Sequence, residues 1–163
     1  MPFAYFSRLS PSRRRIYLRS DAITEVPLPA GLSLAGIARR IERSLAADRR
    51  AEVQAEAQAL LDRLGEALKV PRVRVRVLAV RPTNHEGELH GLYEPLEGAP
   101  ARISVWMRTA QQKRVVAFRT FLRTLLHELC HHLDYELYQL PETFHTEGFY
   151  KRESHLLKQV LDE

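Results

Sequence analysis

Cysteine is almost missing from this sequence: Cys130 is the only one in 163 residues. That excludes an intramolecular disulfide framework, leaves no cysteine-rich zinc ribbon, and suits a reducing compartment. Long apolar runs are missing too. No stretch approaches the roughly 18 consecutive apolar residues of a spanning helix, and the first residues lack the roughly 7–15 residue apolar run of a secretory signal. The expectation is a soluble, cytoplasmic protein with no membrane partner. Internal repeats, low-complexity tracts and a convincing linker are also lacking, and 45% hydrophobic with 28% charged residues gives enough apolar content for one buried core. A single domain over 1–163 is expected.

Acidic residues are in short supply in the first half. Residues 1–81 carry 16 Lys and Arg against 8 Asp and Glu, a balance of +8, whereas residues 82–163 carry 9 against 12, a balance of −3. Such asymmetry is compatible with nucleic acid or another polyanionic partner, and equally with a solvated basic surface.

Residues 1–30 hold Arg13, Arg14, Arg15 and Arg19 among four prolines and read as an extended basic arm. Residues 31–69 read as helical. Leu34, Ile37, Ile41 and Leu45 form one apolar stripe and Val53, Ala57, Leu60, Leu61, Leu64 and Leu68 another, with a break near Ala47 and Asp48. After Pro71 the period changes to two: valines at 73, 75 and 77 alternate with Arg72, Arg74 and Arg76, so the valines face a core and the arginines line the other side of a strand. A short strand is expected at 88–93. A third, at 101–107, places Ile103 and Val105 on one face and Arg102, Ser104 and Trp106 on the other.

The stretch that carries chemistry is His127-Glu128-Leu129-Cys130-His131, a His-Glu-x-x-His spacing. At about 100° of rotation per residue the two histidines sit roughly 40° and one turn apart on a helix, so both imidazoles can reach one metal ion. Val115, Phe118, Leu122, Leu126, Leu129, Leu133 and Leu137 recur at three- and four-residue steps, while His127, His131, Asp134 and Tyr138 fall on nearly the opposite side. A helix of about 28 residues is expected, opened by a capping box from Thr109 and Gln112 and closed by Pro141. A last helix is expected over 148–161, with Phe149, Leu156, Leu157 and Val160 facing inward. Glu153 falls within that stripe, and a carboxylate there needs a partner, for which the motif helix is a candidate.

A catalytic zinc ion takes three protein ligands and keeps a fourth position for water. His127 and His131 supply two. For the third, His145 ranks first because it follows the Pro141 turn that folds the chain back toward the motif; Glu153 ranks next, then Glu147 and Asp134. With His145 as ligand, Glu153 or Asp134 becomes the carboxylate that holds an imidazole in its tautomer. Glu128 is then the general base, one zinc ion per chain the cofactor, and hydrolysis of a protein or peptide substrate the reaction. An extended substrate would pair with a strand edge formed by Arg102, Ile103, Ser104, Val105 and Trp106, and Tyr135, Tyr138 or Tyr150 would stabilise the oxyanion. Cys130 reads as a packing residue, His132 points away from the pair, and His85, His90 and His155 have no clear site geometry. The competing readings are a motif placed by chance on a solvated helix face, and a nucleic-acid-associated module whose zinc site is structural or vestigial.

Over residues 70–160 these features resemble the SprT-like zincin metallopeptidases. The resemblance rests on a strand hairpin, a strand like 102–106, the helix segment Thr124-Leu125-Leu126-His127-Glu128-Leu129-Cys130-His131, and His145 with the aromatic Phe149 a turn later. It implies an α+β fold: a compact zincin-like domain with N-terminal helices, a small three-stranded sheet, a long active-site helix and a C-terminal helix, the catalytic core lying in 70–163. It also implies His145 as third ligand and a metalloprotease activity that, in this family, extends to DNA-bound proteins. Thr146 stands where the family usually has a glycine. A small gluzincin, with Glu153 as third ligand, is the nearest alternative.

Overall fold

The computed structural model describes residues 2–163 and is α+β. In chain order it contains a 3-10 turn (Ala4–Arg8), helices α1 (Pro11–Asp21), α2 (Ala35–Ala46) and α3 (Arg50–Leu68), strands β1 (Arg74–Val80), β2 (Thr83–Asn84), β3 (Gly87–Glu88), β4 (Gly91–Glu94) and β5 (Arg102–Arg108), and helices α4 (Phe118–Glu136) and α5 (Glu147–Leu161). Among the described residues no helix is long and apolar enough to cross a membrane.

The break between α2 and α3 falls where the two stripes change phase, with Asp48 in a left-handed conformation at φ 56°. An aspartate tolerates that region better than most side chains. Both helices pack together, and α3 lies on β1. Leading into and along β1 the expected alternation holds: Val73, Val75 and Val77 are buried and Arg72, Arg74 and Arg76 are exposed.

Strand order in the main sheet is β1-β5-β4, with β5 parallel to β1 and antiparallel to β4. A parallel pair requires a long crossover. Residues 81–101 make it through the β2–β3 hairpin and then run back along the far side of β5 as β4. The expectation that Arg102, Ile103, Ser104, Val105 and Trp106 form an edge is therefore corrected: both hydrogen-bonding sides of β5 are occupied, and β4 carries the open edge. Ile103 and Val105 are buried as expected, but Ser104 and Trp106 are buried as well. The Arg76 guanidinium lies across that face and donates to Ser104 Oγ at 3.2 and 3.1 Å.

Two further expectations are corrected. The motif helix spans 19 residues instead of about 28. Residues 109–116 turn back on β5: Thr109 Oγ1 accepts from Arg114 N, Val116 N donates to Met107 O at 2.6 Å, and Val115 forms a bridge with Arg108. The hydroxyl assigned to a helix cap thus closes a turn. At the other end α4 stops at Glu136, capped by Leu137, and Gln139, at φ 54°, turns the chain before Pro141. The extended arm is also corrected, since residues 4–8 and 11–21 are helical. Ser10 caps α1 by accepting from Arg13 N, and Pro11 occupies the first turn, where its missing N–H costs nothing. The longest irregular stretch of the arm is 22–30, with Pro27 and Pro29.

Buried Leu122, Leu125, Leu126, Leu129 and Leu133 hold α4 against β4, β5, α2 and α5. Each fully buried leucine contributes about 1.5–3 kcal/mol, and together they fix the rotation of α4 so that its histidine face looks out of the core.

Candidate metal centre

His127 and His131 leave α4 on the same side, one turn apart. The chain then leaves the helix, rounds Pro141 and brings His145 over them. His145 Nε2 lies 3.1 Å from His127 Nε2 and 3.1 Å from His131 Nε2. A ligand atom from each of the three lies within 4.8 Å of the others, close enough to bind one metal ion.

Two tautomers follow from the partners behind the rings. His127 Nδ1 is 2.7 Å from Glu153 Oε1, an acceptor, so Nδ1 carries the proton. His131 Nδ1 is 2.8 Å from Thr143 Oγ1. That hydroxyl donates to Asp134 Oδ2 at 2.7 Å, so it must accept from the ring. In both cases the Nε2 lone pair is free and aimed at the third histidine. Burial, then the neighbouring charges of His127 and His145, pushes His131 down to about 3. Burial and His127 lower His145 as well. Both shifts favour the neutral imidazole at His131 and His145, the form a metal needs, and the 3.1 Å separations suit a tetrahedral ion whose Zn–N bonds are about 2.0–2.1 Å.

Burial alone would raise Glu153, but hydrogen bonds from His127 and from Arg123 Nη1 at 2.8 Å hold it below its ordinary value. The inward carboxylate of α5 thus finds its partners on α4, as the stripe implied. It backs His127 and does not enter the cluster. Asp134 backs His131 through Thr143, and its other oxygen binds Arg152 Nη2 at 2.8 Å. Glu147 sits at the start of α5 beside Lys151, 3.4 Å away, outside the cluster.

Glu128 lies beside the histidines, 6% exposed. Among the described residues its carboxyl has no hydrogen-bond partner, and burial pushes it up to about 7, with His127 opposing and Glu153 adding to the shift. It faces the open edge strand: a Cβ built on Gly91 would stand 2.8 Å from Thr124 Cγ2 and 3.0 Å from Glu128 Cγ. A glycine is what allows β4 to approach α4 this closely.

The cleft has two arms that meet at Gly91, Glu128 and His131. One, about 490 Å³, runs past Leu89, Arg123 and Tyr150. The other, about 240 Å³, runs past Leu92, Tyr93 and Tyr135. A third cavity, about 510 Å³, lies outside α5 between Glu25 and Lys158 and contains no ligand set. Of the three tyrosines considered for an oxyanion, Tyr150 and Tyr135 line the cleft. Tyr138 is turned away, its hydroxyl donating to Glu25 O at 3.4 Å and its ring facing Arg152.

Cys130 is buried, as expected of a packing residue. His132 is a buried bracket: Nε2 donates to Pro71 O and Nδ1 accepts from Tyr93 Oη, both at 2.8 Å. His90 stands at the cleft rim, His85 is exposed, and His155 Nδ1 accepts from Val26 N at 2.9 Å. Sequence reasoning missed Thr143, Tyr93, Gly91 and Arg152. Only Arg152 had a signal: it falls in the same inward stripe as Phe149 and Leu156. Compared with family models, curated proteins and solved structures, the chain matches none of them.

Proposed function

We propose that this protein is a zinc-dependent metallopeptidase that hydrolyses peptide bonds in protein substrates, with His127, His131 and His145 as ligands and Glu128 as general base. The observation that carries the reading is the convergence of three imidazoles, two with their Nε2 lone pairs fixed by Glu153 and Thr143, beside the Glu128 carboxyl, which has no hydrogen-bond partner among the described residues and faces an open cleft. An all-histidine set with no cysteine suits a catalytic zinc better than a closed structural one. The resemblance of residues 70–160 to SprT-like zincins supports the same assignment. When bound, zinc polarises a carbonyl and lowers the pKa of a water to about 7.

The remaining work falls to the chain. An extended peptide pairs with the open edge of β4, where backbone contacts impose little sequence preference. Glu128 takes the proton of the attacking water and delivers it to the leaving amine, and its burial beside the cleft favours the protonated form that makes this delivery. Burial raises the Tyr150 phenol, with Glu153 adding to the effect, so its O–H remains a donor at the cleft wall for a developing oxyanion.

Purified protein is expected to hold about one zinc per chain. His145→Ala is expected to lose it, while Glu153→Ala keeps the ligands and weakens zinc binding by about 10–100-fold. Metal content after dialysis against a weak chelator checks both. Full loss in Glu153→Ala with retention in His145→Ala would point to the gluzincin arrangement instead.

A second reading, association with nucleic acid, draws on the outer face of the sheet. Arg74 is exposed and without a partner among the described residues, and Arg76 is bound to neutral Ser104. Elsewhere the basic excess is partly neutralised, since Arg13, Arg40, Arg49 and Arg72 are paired with carboxylates, while Arg14 and Arg50 donate to backbone carbonyls and keep their charge. Binding through Arg74 and Arg76 predicts a log affinity for duplex DNA that falls with log salt at a slope of about −2. A flat slope removes this reading.

A further inference from the structure

His127 and His131 are fixed twice, by a rigid helix and by a partner on each Nδ1. His145 has neither. It lies in the irregular segment between α4 and α5, and among the described residues its Nδ1 has no hydrogen-bond partner. Apart from the His127 and His131 rings, at 4.8 and 4.9 Å, its ring rests on the aromatics Phe149 at 5.2 Å and Tyr150 at 5.8 Å between centroids. Something else must hold its backbone if three nitrogens are to meet.

That role falls to the start of the chain. Tyr5 Oη donates to His145 O at 2.9 Å. On either side the same segment continues the contact. Arg13 Nε donates to Glu142 at 3.0 Å, the Tyr17 ring packs on Phe144 at 6.1 Å, and Ser20 Oγ lies 3.3 Å from Thr146 Oγ1. Asp21 Oδ1 then accepts from Gly148 N at 2.9 Å. Tyr17 is fully buried under Tyr5 and Phe6 and accepts from Phe3 N, so Tyr5 is itself held in place. Phe3 reaches Tyr150 at 6.3 Å. His145 and four residues around it each have a partner in residues 5–21, whereas the loop supplies few bonds of its own.

We infer that residues 3–21 form part of the metal centre, and that Tyr5 is a positioning residue for the third ligand, acting through the His145 backbone. The inference rests on the metal-centre reading above. It gives the 3-10 turn and α1 a functional reason to be ordered, and it makes metal affinity depend on a segment distant in sequence from every ligand.

The test is full-length Tyr5→Phe, which keeps the ring and removes the hydroxyl. Zinc affinity is measured by chelator competition, and ligand geometry by the visible absorption of the Co²⁺-loaded protein. The expected result is about three- to tenfold weaker zinc binding, the loss of one hydrogen bond, and an altered Co²⁺ band, with the metal-free urea midpoint close to wild type. Ser20→Ala, which cuts the tie at Thr146, is expected to act in the same direction. Arg63→Ala, exposed on α3 and outside residues 3–21, is expected to change nothing. Wild-type affinity and spectrum in both Tyr5→Phe and Ser20→Ala overturn the inference and leave the metal centre standing. A wild-type chain that takes up neither Zn²⁺ nor Co²⁺ overturns both.

Discussion

Glu128→Gln is expected to lower peptide hydrolysis by about 10²–10⁴-fold while zinc content stays near one per chain, since the substitution keeps the shape of the side chain and removes its ability to carry a proton. Single-turnover cleavage of an unstructured protein, set beside metal analysis of the same sample, checks it. A second readout comes from stability. The wild-type carboxyl titrates at about 7 in the folded protein against an ordinary value of 4.5. The folded state therefore holds its proton more tightly than the unfolded chain, and burying the ionised form costs stability. That cost is absent below about 4.5, grows between 4.5 and 7, and is complete above 7. Metal-free Glu128→Gln should accordingly melt above metal-free wild type at pH 8, with the gap closing on acidification. Undiminished cleavage by the variant removes Glu128 from the proposed chemistry, whatever the melting curves show.

The face that carries Glu128 was legible in the sequence because a 3.6-residue period states two things at once, which side of α4 packs and which side remains. His145 was legible as a residue after a turn, and Glu153 as a carboxylate on an apolar stripe. The sheet order was not. Alternation in 101–107 reveals a strand, but which neighbours it takes is decided by the crossover through 81–101, and no local pattern in β5 records that β1 and β4 would occupy both its sides. The misplaced helix start has a related cause. Thr109 and Gln112 have the composition of a capping box, and the turn that closes on Arg114 uses the same hydroxyl. The proline count misled at the other end: Pro11 follows Ser10 and starts a helix, and only the later prolines interrupt one. α1 buries just Tyr17 and Ser20, too little for its stripe to be recognised, although those two residues reach the loop of the third ligand.

The largest stability effect is expected at Arg152. It is 1% exposed and its partner Asp134 is fully buried. One guanidinium nitrogen donates to Ser20 O and Ile23 O, both at 2.6 Å, the other to Asp134 Oδ1 and Ser20 Oγ, and the group lies over the rings of Tyr138 and Phe149. Arg152→Met keeps the bulk and strands a carboxylate in the core, which costs about 3–5 kcal/mol. At this chain length that lowers the melting temperature by about 10 °C. Asp134→Leu is expected to be similarly severe, because it strands the guanidinium. The double variant Asp134→Leu/Arg152→Met should cost clearly less than the two singles together, since neither charge is then left alone. Strict additivity in urea unfolding would show that the pair does not couple. Metal binding provides the second axis: Asp134 holds Thr143, and Thr143 accepts from His131. The double variant recovers stability without restoring that chain, so it should still bind zinc more weakly than wild type, separating what the buried pair does for the fold from what it does for the ligand.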